Sequence, residues 1–109
     1  KVKEAVSIFK KKYPKISCEG EIQFDAAIRE SIAFRKNKNS VLKGKANVFI
    51  FPDLNAGNIA YKITQYLAGY SAWGPLLQGL NKPVHDLSRG CNVDDIVSTS
   101  LISALESKI

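Results

Sequence analysis

The sequence lacks a long apolar run, and it is poor in the side chains that most often build metal and nucleophile sites. No stretch approaches the roughly 20 apolar residues that a membrane-spanning helix needs, and the charged N-terminal region has no apolar core of a signal peptide. We therefore expect a cytoplasmic protein with no membrane partner. Because His85 is the only histidine, neither a histidine metal cluster nor a Ser-His-Asp site is indicated.

Cysteine and nucleotide-binding motifs are scarce or absent as well. Cys18 and Cys91 are the only cysteines, and their wide spacing indicates neither a zinc site nor a disulfide framework. The sequence has no GxxxxGK[ST] and no GxGxxG motif. We expect free thiols in a reducing compartment and no metal site.

The charge of the chain is strongly positive, with a formal net charge of +6. Such a charge suits an anionic partner, which could be nucleic acid, a phosphorylated metabolite or the phosphates of a cofactor. Aromatic residues do not interleave with basic ones as they do in nucleic-acid binders. We therefore expect no nucleic-acid partner.

What is present is an ordinary globular composition with patterns that predict four helices. Hydrophobic residues make up 45% and charged residues 24%, so the chain should fold as one modest domain or a piece of one. The first helix is closed by Pro14, and the second runs from Asp25, its N-cap, to about residue 34. The third is capped by Asn55 and ends at Gly69, and the last spans residues 93–105.

Two further stretches, residues 16–22 and residues 46–51, predict strands. The second contains four consecutive apolar residues, a pattern typical of a parallel-sheet strand that is covered on both faces. Helices alternating with strands favour an α/β fold, layered α/β/α, with a largely parallel sheet. A short apolar run at residues 76–80 is a third candidate. Because only about three strands are indicated, the chain reads as part of something larger.

The segment FPDLNAGNIAYK places polar residues at a predicted strand-to-helix turn. Free backbone amides and about half a positive charge at a helix N-terminus can hold a phosphate, and Tyr61 and Lys62 add a hydroxyl and a positive charge. The alternative is that Asn55 merely caps the helix, Tyr61 packs and Lys62 is solvated. The pattern leaves both interpretations open.

The segment PVHDLSRGCNVDDI concentrates reactive side chains just before the last predicted helix. Arg89 offers a planar fork that matches phosphate oxygens, Gly90 allows close backbone approach, and Ser88 can donate to an oxyanion. The alternative makes Asn92 and Asp95 a capping box and places Arg89 in a surface ion pair. Again the pattern alone does not decide.

Four motifs, EGEIQFDAA, FPDLNAGNIAYK, GPLLQGLNKPV and DLSRGC, together resemble the phosphate acetyltransferase and butyryltransferase family in order and spacing. The similarity runs through nearly the whole chain. It implies reversible acetyl transfer between acetyl-CoA and phosphate, giving acetyl phosphate and CoA, with no bound cofactor and no metal. The alternatives are a phosphate butyryltransferase and a noncatalytic fragment that binds phosphate or CoA.

The resemblance also implies roles for single residues. Ser88 and Arg89 would orient and stabilise the acyl phosphate, and Asp95 would be the base for the CoA thiol. An ordinary aspartate pKa of about 3.9 lies over four units below that of a thiol, near 8.5, so this base works against a large mismatch. The family usually has asparagine where this chain has His85. The substrate-binding residues would be Asn55, Asn58, Tyr61 and Lys62.

The resemblance further implies a two-lobed, isocitrate-dehydrogenase-like acyltransferase fold. Residues 1–70 would end the second lobe, and residues 71–109 would supply a strand and a helix that return to the first. The chain aligns with about the last third of a family enzyme, so we expect it to be inactive alone. Its uncovered faces would be apolar, and family relatives are commonly homodimers.

Overall fold

The computed structural model describes residues 1–108, and five helices make up the regular structure of that range apart from one isolated bridge. The chain divides into two compact units, of which the first is Lys1–Gly57 and the second begins at Asn58. Within the described range, no helix has the length and apolarity to cross a membrane. The helices are α1 (Val2–Lys12), α2 (Phe24–Ile28), α3 (Glu30–Lys36), α4 (Leu54–Tyr66) and α5 (Val93–Glu106).

Helix α1 packs its apolar stripe against a glycine. A Cβ atom on Gly20 would lie 3.0 Å from Val6 Cγ2 and 3.6 Å from Val2 Cγ1, so the missing side chain allows this close approach. The helix ends where Tyr13 adopts a non-helical conformation, because the residue before a proline, here Pro14, is biased away from the helical region. The predicted first helix and its closure are confirmed.

The predicted single helix from Asp25 is in fact two short helices, because the chain extends at Arg29. This residue has φ −125° and ψ 112°. Gly44 crosses the chain at the break, where a Cβ on it would lie only 2.4 Å from the carbonyl carbon of Arg29. Next to the break, the Ala46 N–H donates to the Ala27 carbonyl at 3.0 Å. The break between α2 and α3 thus coincides with a contact from residues 44–46, which are distant in sequence, and no proline or glycine lies at the break.

Asp25 links the two short helices and is not the predicted N-cap. The N-cap of α2 is Gln23, which makes no side-chain capping bond. The Asp25 carboxylate accepts the N–H of Ala26 at 2.7 Å and the ammonium of Lys36 at 2.8 Å. The hydrogen bond from Lys36 holds the pKa of this carboxyl below its ordinary value.

Residues 46–51 form no strand, and neither do residues 16–22. A strand needs a neighbouring strand to pair its backbone N–H and C=O groups. Within residues 1–108, the backbone bond of this segment to Ala27 starts at Ala46, and the residues after it pair with no other backbone. Val48 is 71% and Ile50 90% exposed. The apolar run is therefore uncovered, and the layered sheet is not formed inside the described chain.

The core of the described chain is thin. Its buried apolar residues are all alanines, while many larger apolar side chains remain exposed. The expected exposure of apolar faces is thus confirmed. On α5 the exposed side chains recur every four residues and form an apolar stripe that consists of Val93, Val97, Leu101 and Leu105.

Helix α4 starts and ends on polar and glycine signals. The carboxylate of Asp53 accepts the Ala56 N–H at 2.9 Å and so caps the helix. Asn55 lies inside the first turn, so the prediction that it is the cap is wrong. After Tyr66 the chain turns through Gly69, whose φ of +72° suits the predicted terminator.

Candidate functional site

Residues 86–91, here called the connector, carry the SRG motif in the second unit. The Ser88 hydroxyl oxygen accepts the Gly90 N–H at 3.2 Å, and the Ser88 carbonyl accepts the Cys91 N–H at 3.0 Å. These two bonds close a tight turn with Arg89 near its tip. Both Ser88 and Arg89 are exposed, so a ligand can reach them.

The Arg89 guanidinium forms no ion pair with residues 1–108. Within residues 1–108, ion pairs join Lys3 to Glu21 and Lys36 to Asp25, and His85 lies 2.9 Å from Glu106. None of these contacts includes Arg89. The predicted alternative of a surface ion pair is therefore not found. A guanidinium carries five N–H donors in a planar fork that fits phosphate oxygens, so this turn can bind an anion.

The capping box, which the sequence left open as one of two interpretations, is present at the start of α5. Asn92 accepts the Asp95 N–H at 2.9 Å, and the Asp95 carboxylate accepts the Asn92 N–H at 3.0 Å through Oδ2. Its other oxygen, Oδ1, accepts no hydrogen bond from residues 1–108. The cap therefore orients the carboxylate and leaves one oxygen available, while the role of base stays a prediction.

Tyr66 is a candidate site residue that the sequence analysis missed. A Cβ on Gly90 would lie 3.9 Å from the Tyr66 hydroxyl and 3.9 Å from the Ser88 hydroxyl oxygen. The last residue of α4 thus brings a hydroxyl next to the connector. Its spacing of four residues from Lys62 was the available signal.

The second unit also contains three of the predicted substrate-binding residues, all on α4. Lys62 Nζ lies 5.0 Å from the centre of the Tyr61 ring, which is within cation–π range. Asn58, Lys62 and Tyr66 follow at intervals of four residues and so share one side of the helix. On that side of α4, the Tyr66 hydroxyl lies next to Gly90 of the connector. The fourth predicted residue, Asn55, belongs to the first unit and is exposed.

A shallow depression in the first unit contains none of the predicted site residues. Its central carboxylate, Glu19, accepts hydrogen bonds from the Ser40 hydroxyl at 2.7 Å, the Asn37 amide at 3.0 Å and the Leu42 N–H at 3.2 Å. Partial burial raises the pKa of Glu19, but these bonds together outweigh it and hold the pKa below the ordinary value. The cluster satisfies itself and reads as structural.

No metal site is evident where the structure describes the chain. Among those residues, His, Cys, Asp and Glu side chains form no group of three that could hold an ion. Cys18 and Cys91 are both free and half-buried.

Comparison with known proteins places this chain in a family. The phosphate acetyltransferase of Bacillus subtilis (strain 168) is 54% identical over 107 residues, covering 98% of this chain and 33% of the relative. That of Helicobacter pylori (strain J99) is 55% identical over 108 residues, covering 99% of this chain and 21% of the relative. The chain thus spans between a fifth and a third of the length of these relatives.

A solved structure agrees with the sequence comparison. The EutD phosphotransacetylase from Staphylococcus aureus matches with a TM-score of 0.81 and 50% identity, covering 97% of this chain and 32% of the other. Residues 1–104 match the family model described as "Phosphate acetyl/butaryl transferase". This chain therefore belongs to the phosphate acetyl/butyryltransferase family.

Proposed function

We propose that a protein of family length that carries this chain transfers an acetyl group reversibly between acetyl-CoA and phosphate, giving acetyl phosphate and CoA. The observation that carries the proposal is the free guanidinium of Arg89 beside the Ser88 hydroxyl on a closed turn. Relatives named phosphate acetyltransferases, at 54% and 55% identity, favour acetyl over butyryl as the transferred group. Because this chain covers a third of such relatives or less, the activity is that of the longer protein.

The electronic demands of this reaction match the connector. The CoA sulfur attacks the carbonyl carbon of acetyl phosphate and forms a C–S bond, while the C–O bond to phosphate breaks and its electron pair leaves with phosphate. Negative charge grows on the carbonyl and phosphate oxygens, and one preorganised donor in a dry site commonly supplies about 3 to 4 kcal/mol. Arg89 is suited to the phosphate oxygens. Ser88 accepts from Gly90, which leaves its own proton for the substrate.

The α4 residues are suited to the other anionic groups of the substrates. Lys62 supplies a positive charge, and Tyr61 and Asn58 supply a hydroxyl and an amide on neighbouring turns. Asn55 lies in the first turn of α4, where unpaired N–H groups favour an anion. We assign these four residues to phosphate and CoA binding, and we add the Tyr66 hydroxyl because of its place beside Gly90.

Asp95 is proposed as the base that takes the proton of the CoA thiol. Its Oδ2 is fixed by the Asn92 N–H, so Oδ1 has a defined direction. Because an ordinary carboxylate is a weak base toward a thiol, the transfer requires that the thiolate be stabilised as it forms. The positive charge of Arg89, three residues before Asn92, is the nearest candidate along the chain.

The larger assembly is part of the proposal. Uncovered apolar residues such as Val48 and Ile50 support a layered α/β/α, largely parallel sheet whose partner strands come from the remaining family length, in the two lobes outlined above. The exposed stripe on α5 supports a homodimer. Two free cysteines support a reducing, cytoplasmic location, and the substrates acetyl-CoA, CoA, phosphate and acetyl phosphate require no metal or bound cofactor.

The direct experiment follows CoA-dependent loss of acetyl phosphate and formation of acetyl-CoA. The full-length protein is expected to turn over, and residues 1–109 alone are expected to be inactive. Butyryl phosphate, offered at equal concentration, is expected to react more slowly. Faster reaction with butyryl phosphate would favour the butyryltransferase alternative, and no reaction with either substrate in the full-length protein would refute the transferase proposal.

A further inference from the structure

His85, just before the connector, is buried against the end of α5. Its side chain is 1% exposed, and its Nε2 lies 2.9 Å from Oε2 of Glu106, the last residue of that helix. The contact has ion-pair distance but lies outside hydrogen-bonding geometry, and Nδ1 has no hydrogen-bond partner among residues 1–108. A buried polar group without hydrogen-bond partners is costly, and the Glu106 carboxylate is the charged group that lies beside this buried ring.

The two ends of the connector are attached to the same side of α5. The capping box holds its far end at Asp95, and His85 holds its near end at Glu106. Eleven residues separate these two carboxylates, which is about three helical turns. Between them lies Thr99, only 5% exposed, at helical spacing. The buried side of α5 is therefore the side that carries both attachments.

The length of the connector is matched to this helix. From Asn92 to Glu106 the helix rises about 21 Å. The closed turn from Ser88 to Cys91 spans less than about 7 Å. With the other residues fully extended, the chain from His85 to Asn92 therefore reaches at most about 21 Å. Only the length of the His85 and Glu106 side chains allows the connector to deviate from a fully extended path. With both ends held, Arg89 can therefore occupy only a small region beside α5.

The backbone before the connector gives a second, weaker hold. Leu76 and His85 form an isolated antiparallel bridge, and the Asp86 N–H donates to the Pro75 carbonyl at 3.2 Å. This pairing attaches the start of the connector to residues 75–76 but not to α5. Along the near end of the connector, the attachment to α5 is the side-chain contact between His85 and Glu106.

We propose that His85 and Glu106 are positioning residues for the transfer reaction, because their contact fixes where the connector holds Ser88 and Arg89. The proposal rests on the proposed function. Loss of the contact frees the near end of the connector, so the donors meet the substrate in the reactive geometry less often. Ground-state binding of CoA by other residues is unaffected, so kcat falls while KM for CoA stays.

The test uses the full-length protein and three variants. Glu106→Ala removes the carboxylate, Glu106→Gln keeps the length and an acceptor oxygen, and Asp94→Asn is a matched control at an exposed carboxylate on the same helix. Hydrogen exchange of the amides in residues 86–91 is measured together with kcat and KM for CoA. Glu106→Ala is expected to speed connector exchange about tenfold and to lower kcat about tenfold, because the buried His85 ring loses the group that it contacts on α5.

The variants distinguish a specific role of Glu106 in positioning the connector from a general destabilisation of the protein. Glu106→Gln is expected to recover most of the change, and Asp94→Asn is expected to match the unaltered protein. Connector exchange in Glu106→Ala equal to that in Asp94→Asn overturns the inference, and so does a rise of equal size along all of α5. If Glu106→Ala speeds exchange only in the connector, but the unaltered full-length protein does not turn over acetyl phosphate, the contact between His85 and Glu106 is supported. The proposed function is then refuted.

Discussion

The loop around Glu19 and the connector are both irregular segments closed by side-chain hydrogen bonds, yet they differ in what they leave free. Glu19 accepts bonds from Ser40, Asn37 and a backbone N–H, and Ser40 is buried. In the connector the internal bonds use the Ser88 acceptor and leave the guanidinium of Arg89 exposed and unpaired within residues 1–108. The polar groups around Glu19 are hydrogen-bonded to one another, whereas the connector leaves its guanidinium free to bind a ligand.

This difference separates a structural loop from a functional one. A cluster whose donors and acceptors are satisfied internally changes stability when it is altered. A turn that holds unsatisfied donors in a fixed place can stabilise a charge that develops during a reaction. Substitutions around Glu19 should therefore act on folding, and substitutions in the connector should act on turnover.

The largest effect is expected for Gly44→Ala, two residues after Leu42, whose N–H donates to Glu19. Gly44 has φ +71°, and a Cβ there would lie 2.4 Å from the backbone at Arg29. The clash and the backbone strain together should cost roughly 4 kcal/mol or more of unfolding free energy. Gly79→Ala is the control, because Gly79 has φ +84° with nothing within 4 Å, and about 1 to 2 kcal/mol is expected there. Chemical denaturation measures both, and equal losses would contradict the account.

Asp95→Asn tests whether the cap and the base can be separated. The amide oxygen can still accept the Asn92 N–H, so the melting temperature should change little. If the carboxylate is the base, kcat should fall by about 10²-fold or more. Steady-state kinetics and thermal melts are read together, and unchanged turnover would remove Asp95 from the mechanism.

Ser88→Ala should have a smaller effect on turnover than loss of the base. It removes one neutral donor, which we expect to lower kcat by about ten- to hundredfold. Ser100→Ala is the matched control, because Ser100 donates only to the Ile96 carbonyl inside α5. If both variants keep full activity, the connector contributes no more than an ordinary helix surface.

Glu19→Gln should cost about 2 kcal/mol of stability, because charged hydrogen bonds from Ser40, Asn37 and Leu42 are weakened. Glu21→Gln is the control, since Glu21 is exposed and forms only a long ion pair with Lys3. Turnover of the folded protein should be unchanged in both. Loss of activity in folded Glu19→Gln would show that the loop has a catalytic part.

The smallest expected effect is a pH dependence. Since the pKa of Glu19 is lowered in the folded chain, the stability it contributes is fully present above the ordinary value of 4.5 and is lost as pH falls through the folded pKa. Unfolding free energies between pH 6 and pH 3 should therefore fall less steeply in Glu19→Gln. Equal slopes in both proteins would contradict the hydrogen-bonded cluster.

The sequence predicted local structure well and long-range structure poorly. Helices α1 and α5 and the closing of α1 at Pro14 follow from neighbouring residues, and they were predicted. The capping box of α5 is equally local, and it was one of two interpretations that the sequence left open. The break at Arg29 depends on Gly44, fifteen residues away, so no local pattern revealed it. Residues 46–51 have strand character but need partner strands, which the described chain does not supply.

The same division holds for the candidate site. Ser88 and Arg89 could be proposed from the sequence because they are neighbours and their motif is distinctive, and their role stays a prediction. Tyr66 was missed because its hydroxyl is brought to Gly90 by the fold, more than twenty residues along the chain. The contact of His85 with Glu106 was missed for the same reason. Asn55, assigned as a cap, was displaced by Asp53 because both suit that role.

The most direct test of the central claim compares Arg89→Gln with Arg35→Gln, an exposed arginine at the end of α3, in the full-length protein. We predict that Arg89→Gln lowers kcat/KM for acetyl phosphate by about 10²- to 10³-fold with no change in melting temperature, while Arg35→Gln remains within about twofold. Equal activity of the two variants would contradict the role of the connector.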